Sequence, residues 1–400
     1  DWIVTPQHNS LFPYLAALFF KIGFSEVVAK FFLVVLPSIL LVFLTYKICT
    51  LMYNDKKIAL VSTFLMATFW EILFNSMRFH IDNLALLLGF LAIYIFWQGY
   101  EKKEKIFGRL DQKFAIILTV FFVVLSYSIR RAYFIFGFFF LVYMLLTKKF
   151  GGLVKNKYNL SALFFAAILI FLAEELIFIS PIAYVAGTYF HPEAPINLVP
   201  FQIFSAYFTN ISNSLASILL YLFWIGIIII GLNIFFSLGY LKKTENIEVK
   251  SDLFILLTIL LTLSYFIFIQ RNSTIGDPRW YYPLLFASFV CISRATLSIS
   301  SYIKKYNKVL FIVVIVILIG SGGYYQLKHS NLIIRERLNS YSGIKEAGLF
   351  IKQVSSPNDI IVSVPVPQPA YYAERTVIEP WRFINKTSNQ PHSSRGIFFT

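Results

Sequence analysis

Arg78-Phe-His-Ile-Asp82 lies between apolar runs of membrane length at 58–76 and 82–99. A carboxylate beside hydrocarbon costs roughly 2.5–3.5 kcal/mol on insertion scales, so it faces a cavity, a partner or a substrate. Arg78 and His80 give Asp82 cationic or titratable neighbours. Other charges foreign to a lipid-embedded helix fall at the same predicted membrane face. Glu71 precedes Arg78 by two helical turns, which puts both on one side of a helix. Glu174 and Glu175 interrupt Phe171-Leu-Ala-Glu-Glu-Leu-Ile-Phe, Arg130 and Arg131 form a tight turn, and Gly276-Asp-Pro-Arg279-Trp-Tyr-Tyr-Pro283 opens a further run. Carboxylates and arginines at a membrane surface suit group transfer from a lipid-linked phosphate. The carboxylate takes the proton from an attacking hydroxyl, and guanidinium groups hold the phosphate that leaves.

Each residue also has a structural reading. Arg131 and Arg279 can snorkel to headgroups, and Glu174 or Glu175 can pair inside a helix bundle. His8 and His80 suit interface packing as well as they suit ligation. Trp280, Tyr281 and Tyr282 read as an aromatic belt or as a stack against substrate. The gathering of carboxylates and arginines at one face favours the functional reading.

Membrane helices must position these groups. The chain has 400 residues, 58% hydrophobic and only 14% charged, which excludes an ordinary soluble domain. Runs that match a hydrocarbon core of about 30 Å predict ten spans, at 27–46, 58–76, 82–99, 113–129, 132–147, 159–180, 215–241, 252–270, 280–297 and 308–327. The expected fold is an all-α polytopic membrane protein with a small extracytoplasmic α/β tail. The net charge of +15 does not point to nucleic acid, because the loops 47–57, 101–113, 148–158, 242–250 and 301–308 hold 18 Lys and Arg while the alternate loops hold five. By the positive-inside rule the basic loops are cytoplasmic, which puts the Asp82 loop and both ends of the chain outside the cell membrane.

The chain begins with Asp1, and no signal-peptide pattern precedes the first span, so further residues are expected upstream. Residues 1–327 are read as the membrane domain and 328–400 as an extracytoplasmic segment. Leu11 to Phe20 is too short to span and is expected at the interface. The 181–213 loop reads as a connector or a lid. In the tail, Ser342 to Val354 fits an amphipathic helix with Ile344, Ala347, Leu349 or Phe350 and Ile351 inward, and Asp359 to Val364 reads as a buried strand. Cys49 and Cys291 form no disulfide framework or metal motif, and the sequence has no phosphate-binding loop, dinucleotide fingerprint or repeat.

Four segments carry a family resemblance. His8-Asn-Ser-Leu-Phe-Pro13-Tyr-Leu resembles a His-Pro-Pro-Leu-Tyr-Pro-Tyr-Leu lead-in to a span, and Arg78-Phe-His-Ile-Asp82-Asn-Leu-Ala-Leu resembles an Arg-x-x-x-Asp-x-Pro-Leu pattern. Arg279-Trp-Tyr-Tyr-Pro283-Leu resembles Arg-Tyr-Leu-Leu-Pro-Leu, and Gly343 to Lys352 with Asp359 and Tyr371-Tyr372 is similar to an archaeal outer domain. The chain thus resembles the GT-C integral-membrane glycosyltransferases, in the group of dolichyl-phosphate-mannose protein mannosyltransferases and aminoarabinose lipid A transferases. It departs from the motifs at Asn9, Ser10, Leu84 and Trp280.

The resemblance implies a polyprenyl- or dolichyl-phosphate sugar donor, a protein, lipid or glycan acceptor, and inverting transfer on the outer face. It implies that Asp82 is a second acidic residue that orients donor or acceptor, the principal carboxylate lying upstream of His8 by some tens of residues. Arg131 and Arg279 would hold phosphate, with His8, Arg78, His80 and Tyr282 as further substrate-binding candidates. Some members use a divalent cation, for which an outer carboxylate is a possible ligand, although the sequence displays no complete metal site. A secondary transporter or lipid-linked sugar flippase is the competing function. It calls for inverted repeats and Gly- or Pro-broken helices at mid-membrane, which the sequence does not display.

Overall fold

A computed structural model describes residues 10–148, 156–178, 209, 211–215, 217–237, 246–265, 281–337, 342–363 and 367–378. The chain divides into two compact units, Asp1–Ser330 and Asn331–Thr400. In the first unit the described helices are α1 (Leu11–Lys21), α2 (Glu26–Tyr53), α3 (Lys56–Thr68), α4 (Trp70–Ser76), α5 (Asp82–Glu101), α6 (Gln112–Ile129), α7 (Arg131–Thr147), α8 (Lys157–Ile177), α9 (Ser217–Ser237), α10 (Ile247–Ser264) and α11 (Tyr282–Lys304), and α12 (Lys308–Arg337) has its residues up to Ser330 in this unit and the rest in the second.

The protein is a multi-pass membrane protein. Seven of its described helices are long and apolar enough to cross a membrane, or eight if the bent pair α3 and α4 is one span. Ten were expected from the apolar runs. The fifth run yields only the shorter helix α7, and the eighth, described as far as Tyr265, yields a helix that carries Glu248, Lys250 and Asp252 in its first two turns. The last spanning helix also outruns its apolar stretch, continuing to Arg337 rather than ending near residue 327.

Local chemistry sets where the helices start. Asp55, Asp111, Asn156 and Asn246 each accept a hydrogen bond from a first-turn backbone N–H, at 2.7 Å from Lys57, 2.9 Å from Lys113, 3.0 Å from Tyr158 and 2.9 Å from Glu248. Asn307 caps α12 in the same way through Val309 N at 2.8 Å. These are the N-termini of α3, α6, α8, α10 and α12, all at the lysine-rich end, and each cap contributes about 1 kcal/mol. The Lys113 N–H also holds the exposed Asp111 carboxyl below the usual carboxylate range.

α5 and α11 are the most enclosed spans, and α8 and α12 the least. α2 packs on α3 and α5, α5 on α6, α6 on α8, α3 on α11, α11 on α9 and α10, and α10 on α7. Trp97 of α5 meets Tyr143 of α7 and Phe254 of α10 with ring centroids at 5.8 and 5.9 Å, which closes the core between these helices. Gly226 is required where α9 crosses α11, because a Cβ there would run into the backbone of Cys291.

In the second unit, α13 (Ser342–Val354) coincides with the expected amphipathic helix, followed by β1 (Ile360–Val362), α14 (Pro367–Ala373) and β2 (Thr376–Ile378). The strands are parallel, in register Ile360↔Thr376 to Val362↔Ile378. α13 turns Ile344, Gly348 and Ile351 inward and leaves Ala347, Leu349 and Phe350 exposed, because Gly348 is where α14 comes closest, against Tyr372. The expected strand forms, yet Ile360 and Val362 are exposed rather than buried, since the two-stranded sheet covers only part of either face.

Candidate active site

The polar cluster begins at a break in a span. After Thr68 the backbone of Phe69 is extended (φ −65°, ψ 121°), and α4 leaves α3 at an angle of 52°. A break inside a bundle strands backbone groups that need partners. Gln326 of α12, itself buried, accepts from Trp70 N at 3.3 Å and donates to Ser214 O at 2.9 Å, while Trp70 Nε1 donates to the same carbonyl at 3.3 Å.

The tilted α4 carries Glu71 and Asn75, both buried, into the bundle. Arg78 stacks over Phe74 one turn earlier, its guanidinium carbon 4.0 Å from the ring centroid, and its Nη2 donates to Asn75 Oδ1 at 2.6 Å. Asn75 Nδ2 donates in turn to the hydroxyl of Tyr282, the first residue of α11. Tyr282 is 1% exposed and lies within electrostatic reach of Glu71, Tyr133, Arg130 and Arg78. Phe79 meets Phe12 edge to face at 5.2 Å, which ties the 77–81 loop to α1.

Asp82 opens α5 and is completely buried. Its Oδ1 pairs with the Arg130 guanidinium, and its Oδ2 lies 3.0 Å from His80 Nδ1. Neighbouring hydrogen bonds fix that register: Asn83 Nδ2 donates to Ser38 Oγ at 2.8 Å and to Ile72 O at 3.2 Å, and Ser126 Oγ donates to Ala85 O at 2.7 Å. The last bond holds the end of α6 against the start of α5, so the next turn of α6 delivers Arg130 onto Asp82.

The two consecutive arginines diverge. Arg130 has extended backbone (φ −146°, ψ 114°) between α6 and the 3-10 turn that opens α7, which turns Arg131 away from its neighbour. Arg131 Nη2 pairs with Glu174 Oε2 at 3.1 Å, and the Tyr127 hydroxyl donates to the other oxygen of Glu174. The structural reading of Glu174, a pair within the bundle, is therefore the geometry observed. Glu174 belongs to a π-helical segment, Ala173–Phe178, in an otherwise peripheral helix, while Glu175 stays exposed.

Asp82, Arg78, His80 and Tyr282 thus fall at one end of the bundle, and Arg131 lies beside them with Glu174 as its partner. His8, Arg279 and Trp280, with most of the 181–213 loop, lie outside the described residues. Asn75 and the pairing of Arg130 with Asp82 were not foreseen. Among the described residues no three His, Cys, Asp or Glu side chains gather where they could hold a metal ion, and the His80–Asp82 pair offers two donors.

A second charged network occupies the opposite end of the same helices, contrary to the expectation that the misplaced charges share one face. Buried Asp252 accepts from Asn233 Nδ2 at 2.6 Å, Tyr53 Oη at 2.9 Å and Arg294 Nη2 at 3.1 Å. Arg294 also pairs with Glu248, and Lys250 Nζ lies 3.2 Å from Glu101 Oε2. An arginine inside the apolar run 280–297 was the signal in the sequence for this network.

No family model matches the chain, and comparison with curated proteins gives no match. Solved structures do match. ArnT from Cupriavidus metallidurans in the apo state superposes with a TM-score of 0.62 at 11% identity, over 93% of this chain and 75% of that one. ArnT bound to undecaprenyl phosphate gives 0.55 at 12% identity, over 95% and 78% of the two chains. The Archaeoglobus fulgidus oligosaccharyltransferase in complex with Zn and sulfate gives 0.59 at 14% identity, over 93% of this chain but only 54% of its own length. At these identities the shared property is the fold: this chain has the fold of ArnT and of the archaeal oligosaccharyltransferase.

Proposed function

We propose that the protein transfers a sugar, mannose by the family resemblance, from a polyprenyl- or dolichyl-phosphate donor to an acceptor hydroxyl on protein, lipid or glycan. The observation that carries this reading is the buried Asp82–Arg130–His80 cluster, with Arg78 and Tyr282, at one end of a GT-C fold. A related fold crystallised with undecaprenyl phosphate and another tethered to an acceptor peptide support a lipid-phosphate donor and an external acceptor. The 18-to-5 charge imbalance between alternate loops supports an extracytoplasmic site.

In the proposed reaction the acceptor oxygen attacks the anomeric carbon on the face opposite the phosphate, and the configuration inverts. The bond from that carbon to the phosphate oxygen breaks, and the hydroxyl proton passes to a carboxylate base. Asp82 orients the reacting groups. The donor leaves as a phosphate monoester, so negative charge grows on it as the bond breaks, and cationic side chains grip the transition state more strongly than the ground state. Arg78, Arg131 and Arg279 fill that role, with His8, His80 and Tyr282 lining the site; Arg131 exchanges Glu174 for phosphate.

The test is transfer of labelled sugar from a polyprenyl-phosphate donor by the purified full chain in liposomes. Asp82→Asn lowers turnover by about 100-fold or more, and Arg78→Ala weakens donor use by about 10- to 100-fold. Near wild-type kinetics for both folded variants would remove these residues from the site.

A further inference from the structure

A basic surface at the lysine-rich end of the bundle takes no part in the transfer proposed above. Lys56 and Lys57 open α3, Lys304 ends α11 with Lys305 as its C-cap, and Lys308 opens α12; all five are exposed. The ammonium groups of Lys57 and Lys304 both lie over the Phe311 ring of α12, 5.6 and 5.9 Å from its centroid, and that of Lys305 lies 5.3 Å from the centroid of Tyr302. One ring thus gathers two cations from different helices, where they repel each other. At the same end Lys113 and Lys250 have carboxylates at 3.5 and 3.2 Å. Among the described residues none of the five has such a partner, and Asp55, the acid beside Lys56, accepts from the Lys57 N–H.

Beyond the lysines the surface turns apolar. Val309, Ile312 and Val316 of α12 and Leu60 and Phe64 of α3 are 42–69% exposed, and α12 is among the least enclosed spans. Phe64 lies against Gly323, where a Cβ would meet its ring, so α3 and α12 run side by side from the lysines into the membrane. Tyr302 and Tyr306, 71% and 89% exposed, suit the depth at which aromatic rings meet headgroups. We propose that this surface binds the phosphate of an anionic phospholipid in the leaflet at the lysine-rich end, with the acyl chains along α3 and α12. A soluble anion would use the charges and not the apolar strip, whereas lysines clustered at the end of a span, with their stems on apolar surface, suit a charged headgroup. The site is independent of sugar transfer, which is proposed for the opposite end.

Native mass spectrometry of the purified full chain, titrated in detergent with phosphatidylglycerol, tests this, with phosphatidylcholine of the same acyl chains as the net-neutral comparison. Phosphatidylglycerol is expected to bind more tightly than phosphatidylcholine. Lys57→Gln with Lys304→Gln is expected to weaken phosphatidylglycerol binding about 30-fold, at roughly fivefold for each charge near the surface. Lys103→Gln with Lys105→Gln, exposed at the same end in the α5–α6 loop, is expected to leave it unchanged. Lys57→Arg with Lys304→Arg keeps both charges and is expected to retain most of the affinity, which separates loss of charge from loss of fold. Equal losses in the two glutamine pairs would overturn the proposal, since charge anywhere at this end would then suffice. Phosphatidylcholine binding as well as phosphatidylglycerol would overturn it too, as would displacement of the lipid by millimolar inorganic phosphate, the mark of a site for a soluble anion.

Discussion

The Asp82–Arg130 pair allows stability to be separated from chemistry. The Asp82 side chain is 0% exposed and that of Arg130 is 11% exposed, so neither charge can be solvated if its partner is lost. Removing either one strands a buried charge, at a cost of about 3–5 kcal/mol. Asp82→Leu also takes from His80 the carboxylate oxygen at 3.0 Å, which adds about 1 kcal/mol. Replacing both with leucine strands no charge, although His80 still loses its partner, and buried ion pairs exchanged for apolar side chains are often neutral or stabilising. The expected pattern is therefore a coupling energy of about 3 kcal/mol or more between the two sites. At about 2–4 °C per kcal/mol, Arg130→Leu melts roughly 6–20 °C lower and Asp82→Leu roughly 8–24 °C lower, while the double variant returns to within a few degrees of wild type. Thermal unfolding in a fixed detergent measures this, and sugar transfer measured alongside should be lost in the double variant despite its recovered stability. If the double variant melted lower by the sum of the two single shifts, the residues would not be a coupled buried pair and the geometry inferred for the site would be wrong.

Three further outcomes follow from other parts of the molecule. An impermeant thiol reagent on intact cells should label a cysteine at Ser342 and spare one at Gly108, and the reverse pattern would invert the topology. Gly226→Ala should cost about 1–3 kcal/mol by forcing α9 off the Cys291 backbone, read as a lowered Tm; an unchanged Tm would contradict the close crossing. Asp252→Ala should destabilise by about 1–3 kcal/mol because it leaves Tyr53 and Asn233 without their acceptor and Arg294 with Glu248 alone, yet donor affinity should hold, since this network sits at the opposite end from Asp82.

What the sequence revealed and what it hid have physical reasons. Asp82, Arg78 and His80 were legible because a charge beside hydrocarbon is costly and must be explained. Asn75 carries no such penalty, and its role appears only once the break at Phe69 turns α4 inward. That break has neither Gly nor Pro to announce it, and the residue that satisfies the freed Trp70 N–H, Gln326, is 256 positions away. Arg130 and Arg131 are chemically identical neighbours, so their division between Asp82 and Glu174 depends on one extended residue at the end of α6. Asp252, Glu101 and Glu248 escaped notice because charges at the lysine-rich end read naturally as solvated loop residues. The span count fell for a related reason: hydropathy measures the length of a run, whereas burial on neighbouring helices lets α10 carry three charges and α7 stop short.

The helix ends show how the two faces of the bundle differ. At the lysine-rich end, Asp55, Asp111, Asn156, Asn246 and Asn307 all cap the helix that follows them. At the other end, α5, α7 and α11 begin without any side-chain cap, after Ile81, Arg130 and Tyr281. Asp82 stands in the first turn of α5, where its carboxylate could serve the helix, but it turns to Arg130 and His80 instead. The N-termini of these three helices, the positive ends of their dipoles, thus lie at the end of the bundle that holds Asp82 and Tyr282. Such ends favour anions, and a phosphate whose charge grows during transfer would gain from them most at the transition state. The lysine-rich end spends its Asp and Asn side chains on caps, while at the Asp82 end α2 is capped by Ser25 and α5, α7 and α11 are not, which is the arrangement that the proposed transfer from a lipid phosphate calls for.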